Sequence, residues 1–123
     1  QTLLTYGGTT WRKTSLLFCY LYYMSIIQFS HANGFPAKSY AYLFKHISSA
    51  HTISYVNKFG HSQYKTNAQW YDLQQELTHA IMKHQSPVIG IGHSMGALLT
   101  LLVAIEHPHL FKKIIYNYNY ILN

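Results

Sequence analysis

The chain has 123 residues, with 9 Lys and Arg against 3 Asp and Glu, a formal charge of +6 with histidines neutral, and one cysteine. That length suits one small domain with its own core, and a lone Cys19 rules out an internal disulfide and fits a reducing compartment such as the cytoplasm. The positive residues are scattered, the closest pairs being Arg12-Lys13 and Lys112-Lys113, so no basic stripe interleaved with aromatics marks a nucleic-acid surface.

Residues 1–24 form an uncertain N-terminal segment in which only Tyr6-Gly7-Gly8-Thr9 reads clearly, as a turn. The apolar run from Leu16 to Phe29 follows Arg12 and Lys13, like the charged start of a signal peptide, but no small-x-small cleavage site comes before His31. As a helix its 14 residues span about 21 Å, short of the roughly 30 Å of a bilayer core. Its aromatic and β-branched content predicts two buried strands instead, and no stable membrane span is expected.

From Ser25 the pattern is regular. Ser25 to Ser30 predicts a buried strand, and Asn33-Gly34-Phe35-Pro36 a loop. Tyr40, Leu43, Phe44 and Ile47 fall on one helical face. Thr52 to Val56 predicts a second strand, and 57–67 a polar loop around Gly60. The next helix has Thr66 or Asn67 as cap and Trp70, Leu73, Leu77 and Ile81 as its apolar face. Pro87 opens a third strand, Val88 to Gly92. The helix after Ser94 is apolar nearly all round, which predicts burial on most sides, and Pro108 ends it near His107. Lys113 to Tyr118 predicts a last strand. Strand and helix alternate throughout, so the expected fold is α/β, a parallel sheet with helices on both faces.

Gly92-His93-Ser94-Met95-Gly96 stands where strand gives way to helix. An alcohol is a weak nucleophile at neutral pH and must be presented to both a base and a substrate carbonyl. A sharp strand-to-helix turn lifts the Ser94 oxygen clear of the sheet, and Gly92 and Gly96 leave room for the two backbones to approach. The Met95 N–H, at the helix start, would donate to a developing oxyanion, an interaction worth about 3 kcal/mol in the transition state. A second donor is expected from the loop after the neighbouring strand, where Gly34 permits close approach and the Phe35 N–H would donate. His31 is expected to order that loop, and His93 to point away from the reaction.

These residues resemble the α/β-hydrolase superfamily, in its serine esterase and lipase branch, over about Ser25 to Tyr116. HANGFP, residues 31–36, resembles the HG-F-P oxyanion loop, with Asn33 where a second histidine is usual. NKFGHSQ, residues 57–63, is a looser likeness to D-x-R-G-x-G-x-S, and GHSMG is similar to the serine nucleophile motif. The resemblance implies strand order 4-3-5-6 with strand 2 in doubt, a partial hydrolase domain over 25–123 ending near strand 6, and hydrolysis of a carboxylic ester or related acyl bond on a small-molecule acyl substrate through an acyl-enzyme.

The family's acid and histidine follow the nucleophile, but only Glu106, His107 and His109 follow Ser94 here. His107 is 13 residues along the helix, about 20 Å away, against the roughly 3 Å a base needs. His31 and His61, at carboxyl ends of strands, are nearer candidates, while His46, His51, His79 and His84 read as solvated or packing residues. No H-E-x-x-H occurs and acids are few, so no metal site and no cofactor are expected. Truncation is the simplest account. The chain lacks an initial methionine, YNYNYILN does not resemble a family continuation, and QTLLTYGGTT does not resemble the opening hairpin. A truncated sheet would leave an open edge, and self-association is expected. The alternatives are a non-catalytic binding module of the same fold, and a basic peptide anchored to membranes by residues 16–29.

Overall fold

The computed structural model describes residues 3–6, 9–12, 25–61 and 69–117. Six strands and three α-helices occur there. Strands β1 (Leu3–Tyr6) and β2 (Thr9–Arg12) form an antiparallel hairpin, with Leu3 opposite Arg12 and Tyr6 opposite Thr9. The sequence predicts a turn there, and the structure adds the hairpin strands on either side of it. Thr5, Thr9 and Thr10 supply β-branched residues on either side of the Gly-Gly step, which was the available signal. Cys19, residues 16–24 of the apolar run and the cap candidates Thr66 and Asn67 lie outside the described residues.

Strands β3 (Ile26–Ser30), β4 (Thr52–Tyr55), β5 (Val88–His93) and β6 (Phe111–Asn117) form a wholly parallel sheet in the order β4-β3-β5-β6. This is the expected order. The chain leaves β3 for β4 on one side and returns with β5 on the other. The switch point therefore lies between the carboxyl ends of β3 and β5, where Ser30 pairs with Gly92.

Helices α1 (Ala41–Ile47), α2 (Trp70–Met82) and α3 (Met95–Glu106) cover the two faces. On β3, Ile27 and Phe29 point one way and Gln28 and Ser30 the other, as pleating requires. Phe29 meets Phe44 of α1 with ring centroids 5.1 Å apart, and Phe44 stacks on Tyr55 at 5.3 Å. The opposite face carries the main core of Phe59, Leu73, Leu77, Ile81, Val88, Leu99 and Val103. Leu77, Leu99 and Val103 are fully buried because α3 packs there against β5 and α2 packs against α3.

Two of the helices bury less of their apolar faces than the third. No residue of α1 is fully buried, so its apolar face covers β3 only in part. Trp70 of α2 is 48 % exposed, because the first turn of that helix projects past the core. α3 is buried on most sides, as its composition predicts: Gly96, Ala97, Leu99, Thr100, Val103 and Ala104 are buried, and only Ile105 and Glu106 in its last turn are exposed. Among the described residues no helix is long and apolar enough to cross a membrane.

Candidate active site

Ser94 sits between β5 and α3 with φ 53° and ψ −113°, and it is the only non-glycine among the described residues with positive φ. Its side chain is exposed, and its carbonyl accepts the Leu98 N–H at 3.1 Å, the first turn of α3. A Cβ on Gly92 would lie 2.5 Å from the Ala97 nitrogen. One on Gly96 would collide with the Ser30 carbonyl and stand 2.7 Å from the His31 oxygen. Both neighbours are backbone and cannot rotate away, so glycine at these positions lets α3 start directly against β3 and β5. The tight bend expected from the sequence is present.

The loop leaving β3 is held on every side. Asn33 and Gly34 form a turn that the Phe35 N–H closes on the Ala32 carbonyl at 3.1 Å, with Gly34 at φ 81°. His31 is buried and uses both ring nitrogens. Nε2 accepts the Phe59 N–H at 2.9 Å, so Nδ1 carries the hydrogen and donates to the Ala32 carbonyl at 2.7 Å. The ring thus ties the β3 loop to the β4 loop. With both nitrogens engaged, it is not placed to act as a base.

Two further anchors were not foreseen. The Tyr40 hydroxyl accepts the Ala32 N–H at 3.1 Å and bonds His93 Nδ1 at 2.9 Å. Glu76, 5 % exposed, accepts the Gly60 N–H on Oε2 at 2.9 Å and so holds the β4 loop against α2. A carboxylate between Leu73 and Leu77 on an apolar helix face was the signal for Glu76. Tyr40 gave none beyond its place on a helical stripe.

A cleft of about 630 Å³ opens beside the bend. Phe35, Phe59, Trp70, Leu73 and Met95 give it apolar walls, and Lys58 and His61 line it as well. Phe35, Gly34, His31 and Met95 therefore share one cavity; Ser94 precedes Met95 in the chain and is not itself a lining residue. Among the described residues no side chain hydrogen-bonds the Ser94 hydroxyl. Glu106, His107 and His109 lie at the far end of α3, about 18 Å away along its 12 residues, with Glu106 and His107 3.8 Å apart. No group of three His, Cys, Asp or Glu among the described residues is arranged to hold a metal ion.

No family model and no curated protein matches the chain in sequence. Solved structures do match it in shape. An extracellular α/β-hydrolase from a Paenibacillus species superposes with a TM-score of 0.65 at 19 % identity, over 75 % of this chain and 39 % of that one. An N-formylmaleamic acid deformylase from Pseudomonas putida S16 gives 0.68 at 16 % identity, over 76 % and 38 %. The thioesterase domain of the curacin biosynthetic pathway gives 0.66 at 17 % identity, over 94 % and 44 %. The chain spans well under half the length of each of these three. At such identities the likeness is one of architecture, and with the order β4-β3-β5-β6 and a strained bend after β5 it leads to one conclusion: this chain has the α/β-hydrolase fold.

Proposed function

We propose that this chain carries the nucleophile and oxyanion-binding portion of a serine hydrolase that cleaves a carboxylic ester or related acyl bond. The single observation carrying the reading is Ser94: an exposed hydroxyl on a residue strained to φ 53°, at the carboxyl end of β5 beside the switch point. Strain of this kind costs about 1–3 kcal/mol and persists only where the surroundings enforce it. Gly92 and Gly96 give it that setting.

In this reading Ser94 Oγ attacks the acyl carbonyl carbon as a base removes its proton. The carbonyl oxygen becomes an oxyanion, the leaving group departs with the proton, and water later releases the acyl group from Oγ. The Met95 N–H is one oxyanion donor. For the second, the expected donor is the Phe35 N–H, but this reading takes the Asn33 N–H instead, because the Phe35 N–H closes the turn on the Ala32 carbonyl. The Asn33 N–H belongs to the same trans peptide as the Ala32 carbonyl and points the opposite way. That carbonyl accepts from both His31 and Phe35, so the Asn33 N–H is fixed in direction. Among the described residues no base and no acid is assigned to Ser94. The cleft accepts the acyl substrate between Phe35 and Met95. Two of the structural neighbours are named for acyl-group removal, as a deformylase and a thioesterase, which is consistent with this chemistry.

A fluorophosphonate tests the reading. It should label Ser94 in the full-length protein and fail on Ser94→Ala; equal labelling of both would refute it. The lack of a side-chain partner for the Ser94 hydroxyl among the described residues favours a second reading, a binding module of the same fold without catalysis. That reading predicts no labelling of the intact protein at all.

A further inference from the structure

The Tyr40–His93 hydrogen bond joins residues 53 apart in sequence, and the acyl-transfer scheme above gives it no part. Its ends are informative. His93 is bonded directly to Ser94, and its ring projects from the last position of β5. Ala32, whose N–H donates to the same Tyr40 oxygen at 3.1 Å, directly precedes Asn33. The two contacts therefore join the strained bend to the β3 loop through one phenol oxygen. That oxygen accepts from Ala32 and also meets His93 Nδ1, which accepts its proton in one imidazole tautomer and donates to it in the other.

The tyrosine is held firmly enough to transmit position. Its ring lies 4.6 Å from Phe29 on the central strand and stacks on Phe44 of α1 at 6.3 Å. The His93 ring meets it edge-on at 5.9 Å. On one side of Ala32, His31 and Phe35 fix the carbonyl; on the other, Tyr40 fixes the N–H. Both peptide groups flanking Ala32 are thereby oriented, and the second of them carries the Asn33 N–H.

We propose that Tyr40 and His93 are positioning residues that set the distance between the two oxyanion donors, the N–H groups of Asn33 and Met95. The inference rests on the acyl-transfer reading for its purpose but on the hydrogen bonds for its existence. Neither side chain reacts. Their work is to prevent the β3 loop and the bend from drifting apart when a carbonyl oxygen enters between them. A displacement of about 1 Å at such a site lowers rates by up to about a hundredfold without removing any donor.

Four variants and two measurements test this. Fluorophosphonate inactivation of the full-length protein separates the bound affinity, KI, from the chemical rate, kinact. Amide hydrogen exchange at Ala32 reads the strut in this chain without any chemistry. Tyr40→Phe keeps the ring and removes the junction; kinact should fall about tenfold or more with KI within about twofold, and the Ala32 amide should exchange at least about tenfold faster. His93→Asn places an amide where Nδ1 was and should hold kinact within about threefold of wild type. His93→Gln, which reaches the Nε2 position instead, and His93→Phe should both fall with Tyr40→Phe. An unchanged kinact in Tyr40→Phe, or equal loss in His93→Asn and His93→Phe, overturns the proposal. If wild-type Ser94 takes no label, the acyl-transfer reading fails and the exchange result alone decides: faster Ala32 exchange in Tyr40→Phe supports the strut, unchanged exchange removes it.

Discussion

Replacing Ser94 by glycine should make the protein more stable than replacing it by alanine. At φ 53° and ψ −113° the residue occupies the first central position of a type II′ turn, which glycine takes freely and any residue with a Cβ takes under strain. Ser94 makes no side-chain capping bond to α3, so neither substitution loses one. Alanine keeps the Cβ and the strain, about 2 kcal/mol within the usual range of 1–3. Glycine removes it but loses about 0.5–1 kcal/mol to the extra freedom of its unfolded chain. The difference is about 1 to 1.5 kcal/mol in favour of glycine, or about 5 °C in melting temperature for a domain of this size. Differential scanning calorimetry of the two variants under identical conditions measures it. A glycine variant that melts at or below the alanine variant would refute the claim that the bend stores strain, and with it the main support for a nucleophile at this position.

Two other expectations follow from the geometry. Gly96→Ala forces a Cβ into the Ser30 and His31 backbone, so α3 must move off β3; the cost should be about 3 kcal/mol or more, and a urea midpoint equal to wild type would contradict the observed approach. His84 lies 3.0 Å from Ser54 Oγ and 3.3 Å from Gln28 Oε1, and burial, followed by the nearby Lys83 charge, lowers its pKa below the usual 6.5. The unfolded chain then takes up this proton first, so the contribution is intact above about pH 6.5 and is lost as pH falls through the folded value. Urea midpoints between pH 7.5 and pH 5 should drop further for wild type than for His84→Gln, and parallel curves would exclude the effect.

Much of this fold is written locally. The β3 and β5 runs, the Leu73, Leu77 and Ile81 stripe, and Pro108 after α3 each announce their element through neighbours a few residues away. The spacing of Gly92, Ser94 and Gly96 at a strand-to-helix boundary identifies the bend for the same reason. Element type and the hydrogen bonds inside an element depend on near neighbours, so one sequence displays them. Even the hairpin of β1 and β2 had its Gly-Gly marker in view.

The polar framework of the site is different. His31 reaches Phe59, Glu76 reaches Gly60, and Tyr40 reaches His93 across 28, 16 and 53 residues respectively. Nothing in the periodicity of an element says which distant donor will face a given ring or carboxylate. Only the parallel packing of β3 between β4 and β5 brings those partners to one end of the sheet. The Phe35 N–H, by contrast, closes a turn on the Ala32 carbonyl three residues back, a bond set by near neighbours. The sequence by itself determined where a serine would be raised; the tertiary structure decided which backbone groups stand around it, because hydrogen-bond direction is a property of the assembled backbone and not of residue order.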